Sequence, residues 1–172
     1  MHVHSAGCYS QRETYSEHFI TEESIAILSM LRGEVFRHFP TLRVMISHGG
    51  GSVPYQLGRW QAEQLHPALG GGPDAERFEN MLRRFYFDTV LHYPLALQLL
   101  VKTVGAARCL FGTERPGSGS TTNPDTGKPY DDLKPVIEAM DFLSDEERAD
   151  IFEGNARKMF PRLKLPATLP GT

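Results

Sequence analysis

The sequence predicts an α/β fold in which four βα units build a parallel sheet. Short β-rich apolar runs alternate with helix-period segments along the chain. Such alternation implies right-handed crossovers onto a parallel sheet. A polar residue able to do chemistry falls on or just after each run, where ligands bind in parallel α/β folds. The 172 residues suffice for one domain with a sizeable core, and no internal repeat or second domain boundary interrupts them. Four such units make either a small open sheet or half of an eight-stranded barrel.

The first strand is read at His2 to Ser5. A helix follows from Glu22 to His38, with Thr21 as cap and Glu22 and Glu23 in the first turn, where acidic side chains suit the helix dipole. Its apolar stripe is read as Ile25, Leu28, Leu31, Val35 and Phe39. Pro40 ends it, and Leu42 to Ile46 reads as a buried strand running into His48-Gly49-Gly50-Gly51. A second helix starts near Val53-Pro54, proline being tolerated in a first turn, and continues to Leu65. Gly70 to Pro73 is a turn, and Asp74 caps a short helix ending near Arg84.

The third strand is Phe85 to Val90, followed by a helix from Pro94 to Val104 that stops at Gly105. Arg108 to Phe111 is the fourth strand, leading into Gly112-Thr113-Glu114. Arg115 to Tyr130 is rich in Gly, Ser, Thr, Asn and Pro and reads as a long loop. Two helices close the chain. One spans Asp132 to Met140, and the other opens on a capping box, Ser144 with Glu147, and ends at Gly154. The tail after Pro161 is expected to fray.

Composition narrows the function classes. With 40% apolar and 23% charged residues, the chain is neither disordered nor collagen-like. No 18-residue apolar run predicts a membrane span. The net charge of −3, with no basic stripe, argues against a nucleic-acid partner. Cys8 and Cys109 form no C-x-x-C pair, and Met1 is not followed by a signal-peptide pattern. Two reduced thiols in a cytoplasmic protein are expected.

Histidine, carboxylate and a glycine-rich turn converging on one face is the composition of a metal-assisted site. His2-Val3-His4 puts two imidazoles on one side of a strand, suited either to gripping Zn²⁺ or to lying solvated at a terminus. An apolar strand delivers His48, and the glycines after it admit a close approach to the backbone. A neutral imidazole there serves as a general acid/base, the alternative being a core histidine bonded to a carbonyl. Glu114 is a candidate metal ligand or a solvated loop glutamate. Asp88 orients a histidine or bonds the backbone at its strand end. Arg59 faces an anionic substrate or solvent. His18, His38, His66 and His92 read as ordinary surface or helix-end histidines, and Trp60 and the phenylalanines as core. No G-x-S-x-G elbow or P-loop is present.

Several of these motifs, in order, resemble one family. They are Phe39-Pro40-Thr41-Leu42-Arg43, His48-Gly49-Gly50-Gly51-Ser52-Val53-Pro54-Tyr55 with Gly58-Arg59, and Phe85-Tyr86-Phe87-Asp88-Thr89. Gly105-Ala106, Phe111-Gly112 and Ile151-Phe152-Glu153-Gly154-Asn155-Ala156-Arg157 with Phe160-Pro161 complete the set. The family is the amidohydrolase-related group of aminocarboxymuconate semialdehyde decarboxylase, resorcylate-type decarboxylases and 4-oxalomesaconate hydratase. Phe111-Gly112-Thr113-Glu114 and Asn123-Pro124-Asp125-Thr126-Gly127 with Tyr130-Asp131-Asp132 are similar to the hydratase branch. Phe19 falls where that branch carries a tyrosine, and Arg115-Pro116 departs from its usual sequence.

The resemblance implies a metal-dependent (β/α)8 TIM barrel of which this chain is the C-terminal half. The short spacing from His2 to His48 fits the fifth strand, so the first four βα units and their two histidine ligands are expected to be absent. It further implies a divalent metal, zinc, held by His2 and Glu114, with His48 as catalytic acid/base; Arg59 is the candidate substrate-binding residue from its place on the helix after the glycine turn. Asp88 is the expected second-shell carboxylate. The expected reaction is hydration, decarboxylation or hydrolysis of a small-molecule carboxylate. The alternative is an inactive barrel fragment, or an association module whose open sheet edges pair with a second copy.

Overall fold

The computed structural model describes residues 1–7 and 12–162. Cys8 and the tail beyond 162 lie outside the described residues. The four strands are β1 (His2–Val3), β2 (Met45–Ile46), β3 (Tyr86–Asp88) and β4 (Cys109–Leu110). They pair in chain order, all parallel, as the alternation predicts. Each is shorter than its sequence run, and flanking residues extend the ladder, as where Tyr86 N–H donates to Val44 O at 2.8 Å.

Register divides the sheet into two faces. Val3 aligns with Ile46, Ile46 with Phe87, and Phe87 with Cys109. Ile46, Phe87 and Cys109 have no exposed surface. Alternation sends this row to one side, against the helices. The core there adds Ile27, Leu31, Leu97, Leu100, Val101, Val104, Ile137 and Ile151. Each such burial contributes about 1.5–3 kcal/mol relative to exposure. The other face carries His2, Met45 and Tyr86 in one row, with Asp88 beside Leu110 in the next.

The first helix departs from its sequence reading. Helix α1 spans Tyr15–Arg32, and Thr14 caps it through a capping box with Glu17. Thr21 therefore lies inside the helix, its hydroxyl donating to Glu17 O at 2.7 Å. The helix starts about two turns earlier, and its buried residues are Glu23, Ser24, Ile27 and Leu31, while Ile25 is 52% exposed. The helix ends at Gly33, and Glu34, with φ of 50°, turns the chain into the short α2 (Val35–His38). Phe39 is left on the surface.

Helix α3 (Leu57–Leu65) follows a 3-10 turn at Pro54–Gln56. Helix α4 (Phe78–Leu82) begins later than an Asp74 cap implies, because the Gln61 side chain accepts from Phe78 N–H at 2.7 Å. Helix α5 (Pro94–Val104) and its stop at Gly105 match the sequence reading. Helix α6 (Lys134–Glu138) is shorter than its segment. Ser144 and Glu147 form the expected box on α7 (Asp145–Ala149). Gly154 is not a terminus: the chain passes through a π-turn, Asp150–Gly154, into α8 (Asn155–Met159). Buried Asn155 then donates to Ala106 O and Cys109 O, both at 2.8 Å, fastening α8 to β4.

Candidate active site

The carboxyl ends of the strands open on a cavity of about 560 Å³. His48, His92 and Glu114 line it with Phe19, Leu91, Ser118 and a rim of Tyr15, Tyr55, Tyr93 and Tyr130. A larger groove of about 790 Å³ lies elsewhere, lined by Arg37, Arg43, Arg84 and Arg108, and holds none of the site residues read from the sequence.

His48 follows β2 in a left-handed backbone conformation, φ 47°, and opens a turn through three positive-φ glycines. Side-chain-bearing residues rarely adopt that geometry, and they need surrounding structure to hold it. Asp88 supplies part of that hold. Its Oδ1 accepts from Gly49 N–H at 3.0 Å and from Val90 N–H at 3.1 Å. It thus acts on the turn that carries the histidine, through the backbone. Burial raises the Asp88 pKa above 3.8 despite those two donors.

The imidazole is gripped by a residue that the sequence reading placed in a helix's first turn, as a partner of the dipole. Glu23 Oε1 lies 2.7 Å from His48 Nδ1, the glutamate side chain being wholly buried. Burial disfavours the charged imidazole, but the hydrogen bond and charge of Glu23, with Asp88 and Glu114 farther off, outweigh it and raise the pKa above 6.5. Phe19 stacks on the ring at 5.7 Å and 24°. The signal for Glu23 was the i+4 series Phe19, Glu23, Ile27, Leu31, a carboxylate inside an apolar stripe.

His2, on β1, and His4, just past its end, have ring centroids 6.1 Å apart. His2 Nε2 and Ser47 Oγ share a hydrogen bond at 2.7 Å. His4 is the one beside His48, at 5.0 Å between centroids. Its Nδ1–H donates to Ser5 O at 2.8 Å, which leaves Nε2 as the free nitrogen. Glu114 Oε2 takes His92 Nε2 at 2.9 Å and the Ser118 hydroxyl at 2.8 Å. Burial works against its charge, but these two bonds lower its pKa below 4.5. His92, read from sequence as ordinary, is thus a cavity residue. Arg59 sits exposed on α3 and does not line the cavity.

Among the described residues, no group of three or more His, Cys, Asp or Glu is arranged to hold a metal ion. His2 is engaged by Ser47, and Glu114 by His92 and Ser118. The donors present therefore do not make a metal site by themselves. Cys109 is a free, buried thiol whose pKa burial pushes up to about 12. No helix among the described residues is long and apolar enough to cross a membrane.

A parallel βα sheet with histidines and carboxylates at its carboxyl ends defines a barrel-type enzyme fold. The chain belongs to the amidohydrolase family, whose model matches residues 1–162. It is 37% identical over 166 residues to the 2-keto-4-carboxy-3-hexenedioate hydratase of Sphingobium sp., covering 95% of this chain and 46% of that protein. The solved 4-oxalomesaconate hydratase of Rhodopseudomonas palustris superposes with a TM-score of 0.73 at 34% identity, covering 84% of this chain and 43% of that one. A dihydroxybenzoic acid decarboxylase from Polaromonas sp. JS666, solved with bound manganese and 2-nitroresorcinol, shares the fold at TM-score 0.64 and 20% identity, over 93% of this chain and 49% of that one. The chain thus spans about half the length of these relatives, and its four strands correspond to the C-terminal half of their barrel.

Proposed function

We propose that this chain supplies the C-terminal half of the active site of an amidohydrolase-type lyase that hydrates or decarboxylates a small carboxylate. The observation that carries the reading is the hydrogen bond of buried Glu23 to His48, which lines the cavity. A histidine held there moves a proton: to the reacting carbon when carbon dioxide leaves, and, when water adds across a double bond, from the attacking water or to the carbon next to the one it attacks. Tyr15, Tyr55, Tyr93 and Tyr130 with Phe19 give the cavity flat apolar walls suited to a planar unsaturated acid. Phe19 favours decarboxylation as the second reading, since it places no hydroxyl on the ring face of His48.

Hydrolysis has no further support. A divalent ion, zinc or manganese, enters this reading only with donors beyond the described residues, joined to Glu114 and to whichever histidine of β1 is free. His4 is the better placed of that pair. Arg59 as a substrate-binding residue and a paired, homo-oligomeric state remain part of the proposal, as does a reducing cytoplasmic setting, which free Cys109 suits. The test is an assay of the purified protein, with added Zn²⁺ or Mn²⁺, on 2-keto-4-carboxy-3-hexenedioate and on dihydroxybenzoates. Loss of substrate absorbance or release of carbon dioxide that disappears in His48→Asn supports the reading. Turnover unchanged in that variant, or none on either substrate class, overturns it in favour of an inactive association module.

A further inference from the structure

Resting on the reading of His48 as the acid/base group, we propose that Glu23 is its positioning residue. It holds the imidazole as the Nδ1–H tautomer and leaves Nε2 as the atom that takes up and returns the proton. An ionised carboxylate only accepts hydrogen bonds, so at 2.7 Å from Nδ1 it selects the ring form with its proton there. Neutral imidazole carries one N–H, and with Nδ1 occupied the lone pair falls to Nε2. Among the described residues nothing takes Nε2, while His48 itself lines the cavity.

The surroundings restrain the ring. Glu23 has no solvent exposure, so water does not compete for its oxygen. Phe19 covers one face of the ring. The backbone beneath is pinned where Asp88 holds Gly49. Among the described residues Glu23 Oε2 is buried and meets no hydrogen-bond donor. A buried oxygen without a hydrogen bond is destabilising, and an apolar side chain would fill this helix face without that penalty. Among the described residues, the hydrogen bond of this carboxylate goes to the histidine.

The test reads the tautomer directly and needs no turnover. In ¹⁵N-labelled protein, at a pH where the ring is neutral, long-range ¹H–¹⁵N correlations report which imidazole nitrogen is protonated. The His48 signals are assigned by their absence in His48→Asn. The expected result is a protonated Nδ1 and a bare Nε2, with the two resonances mixing or exchanging places in Glu23→Met, which keeps the volume and removes the acceptor. A wild-type ring protonated at Nε2, or an unchanged Nδ1–H in folded Glu23→Met, overturns the proposal. Should Glu23→Met fail to fold, the wild-type spectrum decides alone. Failure here leaves the acid/base reading to the activity assay of His48→Asn, so the two are separable.

Discussion

The carboxylate of Asp88, on β3, holds the backbone N–H of Gly49 at 3.0 Å, and so ties the turn carrying His48 to the neighbouring strand. Asparagine keeps an oxygen that accepts the same bonds; alanine does not. Asp88→Ala should cost about 1–3 kcal/mol for the unpaired buried donors. Asp88→Asn should cost far less and change the pH dependence. Because the folded pKa of Asp88 lies above 3.8, the unfolded chain loses this proton first, and stability falls as pH rises from there through the folded value. The stability of Asp88→Asn relative to wild type should therefore improve across that window and then level off. Urea unfolding at stepped pH checks it; a constant difference rules the burial effect out.

His48 predicts the complementary pH behaviour. Its folded pKa lies above 6.5, so its contribution to stability is complete below that value and is lost as pH rises through the folded pKa. The groups setting it are Glu23, Asp88 and Glu114. The stability difference between wild type and His48→Asn should shrink over that window, measured by thermal unfolding. Asparagine tolerates the left-handed backbone, so the variant should fold. On whichever substrate turns over, its rate should drop on the order of 10²–10⁴-fold.

Two glycines ten residues of chain apart or less answer alanine in opposite ways. At Gly51, with φ of 63°, a Cβ would lie 2.2 Å from Ile20 O, in the backbone of α1. Gly51→Ala should destabilise by at least ~2 kcal/mol and loosen the packing of α1 on the turn. Around Gly58 in α3 nothing lies within 4 Å of that position. Gly58→Ala should stabilise by about 0.5–1 kcal/mol through helix propensity. Chemical unfolding of both variants checks the pair.

Metal content tests the donor set. With no group of three donors among the described residues, the protein purified from zinc- or manganese-supplemented medium should retain well under one equivalent per chain after dialysis. Elemental analysis reads this directly. Stoichiometric metal that is lost in Glu114→Ala would show that the donors rearrange around an ion.

The strand order, the helix α5 and the Ser144 box were legible because each rests on a local signal with one strong candidate. Pro94 opens α5 and Gly105 closes it, with nothing competing in between. Helix α1 offered two starts. Thr21 followed by Glu22 and Glu23 mimics a capped terminus, but Thr14 with Glu17 closes a reciprocal box seven residues earlier and wins. A Thr21 start makes Glu23 a first-turn partner of the dipole, whereas in the longer helix about two turns precede it and its side chain is buried. His92 was hidden for another reason. Its partner Glu114 comes from the next strand end, and only the register of β3 with β4 brings the two together.

The His-Val-His run of β1 has a consequence for how faults in this sheet would be felt. A slip of one residue against Met45 and Ile46 would turn Val3 toward the cavity side and bury a histidine among the helices, an error the core would reject. A slip of two restores the faces and sets His2 where His4 now stands. The segment therefore carries a second histidine two residues along, and what sets His4 rather than His2 beside His48 is the hydrogen bond of His2 to Ser47 together with the bonds of Met1 O to Met45 N–H, Val3 O to Ser47 N–H and the Ser5 hydroxyl to Phe19 O.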